Sequence, residues 1–451
     1  MSLHNIFTKE KNFHKRPGIP SPLNARALFP FLAVLLLSSL VFTGLAGCER
    51  SEEEETGGFL SASKEREQLK LWYSDESLTE YLEAAAFSYT EIDDSVRVVP
   101  ELVSGTEFLD TLYKASLEED APDMYLLSND QLEKAYLAGL ADPIIPKVSE
   151  SHGIAEPIPD EGVVALSNFP QAAIWAVSYN GRRVGYPFYL QTSAFLYNKT
   201  YLDEMGESAP PATIQEIEEF ANLHDAPEGM ESFFTWDVTD IFYNYFFIGG
   251  VIDMGGECGD DMERIDLVNP KAIQALQLYQ GLNQFFSIDS SEVSYSGLME
   301  EFKEGKILFT VVTSNAVSEL AQAKENGELQ FEYMFAPLPD IEEGIPGRSL
   351  SVTEAVCVNG FSTSKEKAHE FASYLTTSYS ENLYARTGKI PAYRESAKQI
   401  QGMEAFLEEY EFSAPIPKMI ETGALWVRLE IALTKIWEGG DVEEELRALG
   451  L

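Results

Sequence analysis

Five short segments between residues 69 and 127 alternate between strand-like and helix-like patterns. The strand-like runs 69–73, 96–99 and 123–127 are rich in leucine, valine and aromatic residues. Between them, segments 78–87 and 107–117 carry apolar residues at helical spacing. Strands that alternate with helices are joined by crossovers, so they form a largely parallel sheet covered by helices. We therefore expect an α/β fold whose first lobe is doubly wound.

The pattern changes near Val184, where longer strand-like runs begin. Segments 185–189 and 194–198 predict two strands, and the following region is mostly helical with a core strand at 307–312. A Pro/Gly-rich stretch then precedes a strand-like run, 350–358, and a helical one, 365–376. A last helical stretch, 425–449, closes the chain. We expect two lobes joined by a hinge: an N-terminal lobe of residues 69–189 and 341–392, and a C-terminal lobe of residues 190–340 and 393–451.

The first 47 residues have the three parts of an export signal. Basic residues precede an apolar run that ends in Leu45-Ala46-Gly47-Cys48. Leu-Ala-Gly-Cys resembles the lipobox of bacterial lipoproteins, which implies cleavage before Cys48 and acylation of its thiol. Residues 48–68 are polar and acidic, and we expect them to form a lipidated tether. A single N-terminal membrane helix is the alternative interpretation of the apolar run.

Charge and cysteine content exclude several classes of function. The chain has 74 acidic and 32 basic residues, a net charge of −42, which disfavours nucleic acid and anionic lipid as partners. Besides Cys48, the chain contains Cys258 and Cys357. We expect two buried free thiols, with a disulfide between them as the alternative.

Motifs for common catalytic chemistries are absent from the sequence. It contains no Gly-x-Ser-x-Gly, Walker-type or dinucleotide glycine motif, and no His-x-x-x-His pair. The acidic run from Asp253 to Asp261 lacks the spacing of an EF-hand, so we expect a solvated loop there, with calcium binding near Asp260 as the alternative. We expect neither an enzyme nor a cofactor.

Several motifs, in this order, resemble those of the family 1 extracellular solute-binding proteins of ABC importers, and most closely the maltose/maltodextrin-binding branch. They are Ala121-Pro122-Asp123-Met124-Tyr125, Leu196-Tyr197-Asn198-Lys199, Phe302-Lys303-Glu304-Gly305-Lys306 and Thr387-Gly388-Lys389-Ile390-Pro391-Ala392. The resemblance spans nearly the whole chain after the tether. It implies the two-lobe periplasmic-binding-protein type II architecture, with a ligand cleft between lobes that close about a hinge.

The resemblance also implies which residues bind the ligand. Polar contacts to sugar hydroxyls and stacking aromatic rings are expected at the following positions: Asp75, Glu76, Asp130, Gln191, Phe233, Tyr295 and Trp426. Each has an alternative role, because Asp130 would also suit a helix N-cap and the aromatic residues would also suit a core. Leu127 stands where the family often has an aromatic platform, and Glu76 stands where the best-known sugar binders have a basic residue.

The sequence thus predicts a binding protein for a neutral carbohydrate of the oligosaccharide class, similar to a maltodextrin. The implied partners are ABC transporter permease subunits and, through lipid on Cys48, the extracytoplasmic face of the cell membrane. Two alternatives are a binding protein for a cationic solute such as a polyamine and an extracellular glycosidase-like lipoprotein. The first alternative draws on the acidic charge, and the second on the many carboxyl groups.

Overall fold

The computed structural model describes residues 66–118, 120–144, 148–151, 154–157 and 166–450. The predicted signal (1–47), Cys48 and all but the last residues of the predicted tether (48–68) lie outside this part of the chain. From Arg66 onward the chain forms one compact unit.

Strands and helices alternate as the sequence pattern predicts. The strands are β1 (Glu67–Tyr73), β2 (Val96–Leu102), β3 (Met124–Ser128), β4 (Val148–Ser151), β5 (Ile154–Pro157), β6 (Ser178–Tyr179), β7 (Arg182–Arg183), β8 (Tyr186–Gln191), β9 (Ser193–Asn198), β10 (Ser232–Phe234), β11 (Asp253–Met254), β12 (Ile265–Asp266), β13 (Ile307–Thr313), β14 (Tyr333–Ala336), β15 (Leu350–Val358), β16 (Ile390–Pro391) and β17 (Ala414–Pro415).

The α-helices cover the sheets and supply most of the connections. They are α1 (Thr79–Tyr89), α2 (Phe108–Leu117), α3 (Leu132–Leu137), α4 (Gln171–Ala176), α5 (Lys199–Glu204), α6 (Ile214–Leu223), α7 (Ile241–Asn244), α8 (Phe246–Gly249), α9 (Pro270–Phe286), α10 (Tyr295–Lys303), α11 (Asn315–Glu325), α12 (Lys365–Thr376), α13 (Leu383–Thr387), α14 (Arg394–Ala397), α15 (Glu404–Phe412), α16 (Thr422–Trp437) and α17 (Val442–Arg447). Short 3-10 helices occupy Glu76–Leu78, Asn129–Gln131, Leu166–Asn168 and Ser380–Asn382.

The first sheet has seven strands in the order β16-β8-β15-β3-β1-β2, with β17 added beside β15. Both of its faces are buried, because alternate residues of each central strand enter different cores. In β3, Met124 and Leu126 join a cluster that includes residues of α1 and α12. Tyr125 and Leu127 point to the opposite cluster, which includes residues of α2 and α3. A near-continuous apolar run is what a strand covered on both faces requires.

The second sheet has four strands in the order β10-β13-β9-β14. Its aromatic core includes Phe195, which stacks on Phe309 with ring centroids 5.3 Å apart. Trp236 is fully buried and packs against Trp437 of α16, so the C-terminal helices belong to this core.

The chain passes between the two sheets at three places. Gln191 ends β8 in the first sheet and Ser193 begins β9 in the second, with Thr192 between them. The chain returns between β14 and β15. The third crossing follows β17, which still pairs with β15 of the first sheet, and leads to α16, which packs on the core of the second sheet. These crossings join two α/β layers, as expected for a two-lobe protein. The exact division of residues between the lobes remains a prediction.

Candidate functional site

Three of the predicted ligand residues meet at one edge of the first sheet. β1 and β3 are parallel, and β15 is antiparallel to both β3 and β8, so β1, β3 and β8 all run in one direction. Asp75 lies just after β1, Asp130 just after β3, and Gln191 is the last residue of β8. The carboxyl ends of parallel strands are where open α/β sheets bind ligands. This edge is therefore the first half of the candidate site.

Asp75 is held in place by local hydrogen bonds and one ion pair. Its carboxylate caps the 3-10 helix Glu76–Leu78, accepting from the Ser77 backbone N–H at 2.9 Å and from the Ser77 hydroxyl at 2.6 Å. Its other oxygen, Oδ2, lies 3.0 Å from Nζ of Lys389. Burial raises the pKa of Asp75, but Lys389 and the bonds from Ser77 outweigh it, so the pKa is lowered overall. Asp75 is therefore a charged, fixed acceptor at neutral pH.

Lys389 reaches this edge from a different part of the chain. It precedes β16, whose Ile390 pairs with Leu190 of β8, so Lys389 enters beside the end of β8 where Gln191 lies. Its ammonium group also lies 5.3 Å from the centre of the Tyr189 ring, a cation–π distance. The side chain of Lys389 is largely buried, but 19% of it is exposed, so a ligand in the site can contact it.

Glu354 adds a further carboxyl group to the same edge. It lies in β15, opposite Ser128 of β3 on one side and Tyr189 of β8 on the other. Loss of water around the carboxyl group is the main cause that raises its pKa to about 8, and the nearby charges of Asp130 and Asp75 add to the effect while Lys389 opposes it. Glu354 is therefore largely protonated, and able to donate a hydrogen bond, at neutral pH.

The other polar residues predicted at this edge differ in their settings. Asp130 is half-buried within the 3-10 helix Asn129–Gln131, whereas the N-cap of α3 is Gln131, so the capping alternative for α3 is wrong. Its buried neighbour Asn129 donates to the Ile416 carbonyl at 2.8 Å and accepts from the Thr353 N–H at 2.8 Å. Gln191 is half-buried, and Glu76 is exposed.

Tyr295 is a predicted aromatic ligand residue that is partly accessible. It is the first residue of α10 and is half-buried. Its ring stacks on Tyr243 with centroids 5.4 Å apart and planes 13° apart. Its N–H donates to Asp237 at 3.1 Å, and the Thr313 hydroxyl lies 3.4 Å from its phenol oxygen. These contacts fix the ring while leaving part of it accessible.

Phe233 is half-buried like Tyr295, whereas Trp426 is buried. Phe233 is half-buried against Phe220, whereas its neighbours Phe234 and Trp236 are fully buried core residues. Trp426 is only 6% exposed and packs on Tyr245 with ring centroids 5.7 Å apart. Its indole N–H is buried without a hydrogen-bond partner. We expected an accessible stacking face at Trp426, and this conformation covers it; contact with ligand remains a prediction.

Lys389 and Glu354 are site residues that the sequence analysis did not assign. Lys389 lies inside a motif that was used only to establish resemblance, and Glu354 interrupts an otherwise apolar strand. An ionisable residue within a buried strand costs free energy of folding, so its presence in the sequence indicates a functional role. The strand register that brings these two side chains to Asp75 is not visible in the sequence.

A buried lysine lies near the third crossing. Lys418, 1% exposed, donates to the carbonyls of Trp175 at 2.9 Å and Ser178 at 2.8 Å, and also to the carbonyl of Cys258. Its own N–H donates to the Gly259 carbonyl at 2.9 Å. Burial lowers the pKa of Lys418 to about 8. It therefore joins α4 and β6 to the loop between β11 and β12.

A cavity of about 490 Å³ lies close to this crossing. Its lining includes Trp175, Tyr245, Arg348 and Phe412. None of the predicted ligand residues contributes to it. The cavity is therefore a feature of the hinge region, distinct from the edge described above.

The acidic loop near Asp260 uses its carboxylates for internal contacts. Asp253 accepts from Gly256 N–H at 2.6 Å and pairs with Arg264 at 3.0 Å, and Asp260 accepts from Asn180 N–H at 2.9 Å. Within the described ranges, no group of three or more His, Cys, Asp or Glu side chains is arranged to hold a metal ion. Cys258 and Cys357 are both free thiols; Cys357 is buried as expected, whereas Cys258 is only half-buried.

No helix in the described part of the chain is both long and apolar enough to cross a membrane.

Comparison with known proteins identifies a family and several relatives. The family model for bacterial extracellular solute-binding proteins matches residues 73–378. The maltotriose-binding protein of Pyrococcus abyssi is 24% identical over 328 residues, an alignment that covers 70% of this chain but only 65% of that protein. The galactooligosaccharide-binding protein of Bacillus subtilis is 22% identical over 420 residues, covering 90% of this chain and 92% of that protein.

The fold is also shared with solved structures. An extracellular solute-binding protein from Staphylococcus aureus, solved in complex with maltose, matches with a TM-score of 0.71 at 17% identity, covering 85% of this chain and 96% of that one. This likeness confirms the predicted two-lobe α/β architecture. Because the family model matches more than half of the chain, this protein belongs to the family of bacterial extracellular solute-binding proteins.

Proposed function

We propose that this protein captures a neutral oligosaccharide outside the cytoplasm and delivers it to the permease subunits of an ABC transporter. The match to the family of bacterial extracellular solute-binding proteins supports a role in binding outside the cytoplasm. Two relatives are named for binding maltotriose and galactooligosaccharides. The observation that carries the proposal is the meeting of Asp75, Asp130 and Gln191 at one sheet edge.

The chemistry of the two lobes suits a sugar. Fixed carboxylate and amide groups at the edge of the first sheet can accept and donate hydrogen bonds to hydroxyl groups. Tyr295 and Phe233, both half-buried, offer aromatic surface against which the apolar faces of sugar rings pack. A ligand that contacts both lobes stabilises their closed arrangement, because the open one lacks half of those contacts. The transporter could then distinguish the closed, ligand-bound protein from the open, ligand-free protein by its shape.

Anchoring by lipid completes the proposal. Residues 1–47 would direct export, Cys48 would carry the acyl chains, and residues 48–68 would connect the lipid to the folded part. More than one acyl chain is needed for stable attachment, since each buried methylene contributes about 0.8 kcal/mol. The protein would remain at the extracytoplasmic face of the cell membrane, close to the permease.

Calorimetric titration with maltotriose, a galactooligosaccharide, spermidine and a short peptide tests the proposal. We expect one of the saccharides to bind, with an affinity that changes by less than about twofold between low and physiological salt, because hydroxyl contacts are not screened. The radius of gyration from small-angle scattering should fall on binding. Binding of spermidine alone, weakening about tenfold over the same change in salt, would contradict the proposal.

A further inference from the structure

The ion pair between Asp75 and Lys389 places a positive charge inside the candidate site. The two groups are 3.0 Å apart, and their side chains are 28% and 19% exposed. Both belong to one edge that also holds Glu354, because β15 lies between β3 and β8. The function proposed above does not require a cation at this position, so its presence calls for a physical explanation.

Resting on that proposed function, we propose that Lys389 sets the charge selectivity of the cleft: by pairing with Asp75 it makes the site accept an uncharged polyol and reject a cation. A cationic ligand would have to approach an ammonium group already held at the carboxylate. Like charges brought close together at an interface repel each other, which is one way in which binding sites exclude wrong partners.

The same ion pair remains suited to hydroxyl groups. An ammonium group has three donor hydrogens, and a carboxylate has about four acceptor positions. Asp75 accepts hydrogen bonds from Ser77 and pairs with Lys389, and this pairing uses one of the donor hydrogens of Lys389. Positions therefore remain on both groups for a ligand that can donate and accept, as a sugar hydroxyl does. A protonated polyamine can only donate hydrogen bonds. It is therefore attracted to the carboxylate of Asp75 and repelled by the ammonium group of Lys389.

Two features hold Lys389 in this role. The face of the Tyr189 ring lies 5.3 Å from the ammonium group, and Tyr189 itself is 7% exposed and therefore fixed. The pairing of β16 with β8 anchors the backbone next to Lys389. Glu354 adds no net charge at neutral pH, since burial raises its pKa to about 8. Together these features keep Lys389 at Asp75 and limit the negative charge that a cation would meet.

The test compares affinities for maltotriose and spermidine in the full mature protein. Lys389→Gln removes the charge but keeps a polar group, and we expect it to bind spermidine at least about tenfold more tightly and maltotriose at least about tenfold more weakly than the wild type. Lys389→Arg keeps the charge and should retain the wild-type preference. Lys435→Gln is the matched control, because Lys435 pairs with Glu445 at 2.9 Å on an exposed helix surface.

A double variant tests whether the gain in spermidine affinity depends on the charge of Asp75 rather than on the changed shape of residue 389. In Asp75→Asn/Lys389→Gln both charges are gone, so the gain in spermidine affinity should disappear. A ratio of the two affinities in Lys389→Gln within about twofold of the wild type would overturn the inference. If the wild type binds neither probe, the proposed oligosaccharide function fails for these sugars, but the gain of spermidine binding in Lys389→Gln still decides the inference. If Lys389→Gln does not fold, the comparison of Lys389→Arg with Asp75→Asn decides it: both retain a positive charge at residue 389, so spermidine binding by either would overturn it.

Discussion

Glu354 shows how a single residue can couple binding chemistry to stability. It stands in a strand whose other residues from Val352 to Val358 are apolar or uncharged, and its carboxyl group loses water on folding. A carboxylate in such a place is costly, whereas a neutral carboxylic acid costs much less and can still donate a hydrogen bond. The protein keeps this group at the sheet edge where the candidate ligand residues meet.

We predict that Glu354→Gln stabilises the protein more at pH 9 than at pH 5. In the unfolded chain the carboxyl group titrates near its usual pKa of 4.5, and in the folded protein near 8. Between these values the folded state holds a proton that the unfolded state has released, so stability is lost as the pH rises toward and through about 8. Glutamine stays neutral throughout. Melting temperatures measured from pH 5 to pH 9 provide the check.

Glu83→Gln is the control for this comparison, since Glu83 is exposed on α1. Its melting temperature relative to the wild type should stay constant over the range. A gap between Glu354→Gln and the wild type that is also constant would show that Glu354 is ionised at pH 5 and would refute the assignment.

At the level of whole elements, the sequence predicts strands and helices better than it predicts contacts between them. The pattern predicts a strand at 350–358 and a helix at 365–376, and the structure has β15 and α12 with those bounds. It fails at the C-terminus, where a single helical stretch, 425–449, is in fact α16 and α17. Gly439 adopts φ +100° between them, a conformation that ends a helix.

Some residues of the candidate site were assigned from the sequence, and others only became apparent in the structure. The resemblance assigns Asp75, Asp130 and Gln191, and the structure places each of them at the end of a strand of the first sheet or just after one; their contact with ligand stays a prediction. Lys389 was not assigned, since it reaches Asp75 through pairing between residues about two hundred positions apart in the sequence. The burial of Trp426 was equally hidden, because periodicity along α16 does not show which face meets Tyr245.

Two tryptophans of α16 offer a test of which one serves the ligand. Trp426 and Trp437 are 6% and 2% exposed, and neither indole N–H has a hydrogen-bond partner. We predict that Trp426→Ala and Trp437→Ala each lower the free energy of unfolding by about 3–5 kcal/mol, as expected for buried tryptophans. Only Trp426→Ala should also weaken saccharide binding, by about tenfold or more, since Trp437 packs on Trp236 and Tyr279 in the core.

Chemical denaturation and calorimetry on both variants make this measurement. Equal effects of the two substitutions on saccharide affinity would show that Trp426 acts only through the core. An unchanged stability in Trp426→Ala would contradict its burial.

In the described part of the chain, the relative position of the two large sheets depends on three crossings. Closure about a hinge needs crossings that bend, yet contacts beside them limit which arrangements are stable. Asn129 ties the third crossing to β15 through its bonds to Ile416 and Thr353. Glu133 of α3 accepts from the Ile420 N–H at 2.5 Å and from the Tyr179 hydroxyl at 2.8 Å. These polar contacts connect α3 and β15 to the crossing.

Lys418 lies at the centre of these contacts, and its removal should affect stability and local opening together. Lys418→Met keeps an unbranched side chain one atom shorter and leaves the carbonyls of Trp175, Ser178 and Cys258 without this donor. Buried acceptors that lose their partner cost about 1–3 kcal/mol, so we predict a loss of about 3 kcal/mol in the free energy of unfolding. Amide hydrogen exchange should accelerate in residues 256–260, because their link to α4 and β6 is gone. Lys435→Met, which removes an exposed ion pair, should lose less than about 1 kcal/mol. A loss in Lys418→Met no larger than in this control, with unchanged exchange, would show that other donors or water satisfy the three carbonyls. Lys418 would then not hold α4 and β6 to this loop.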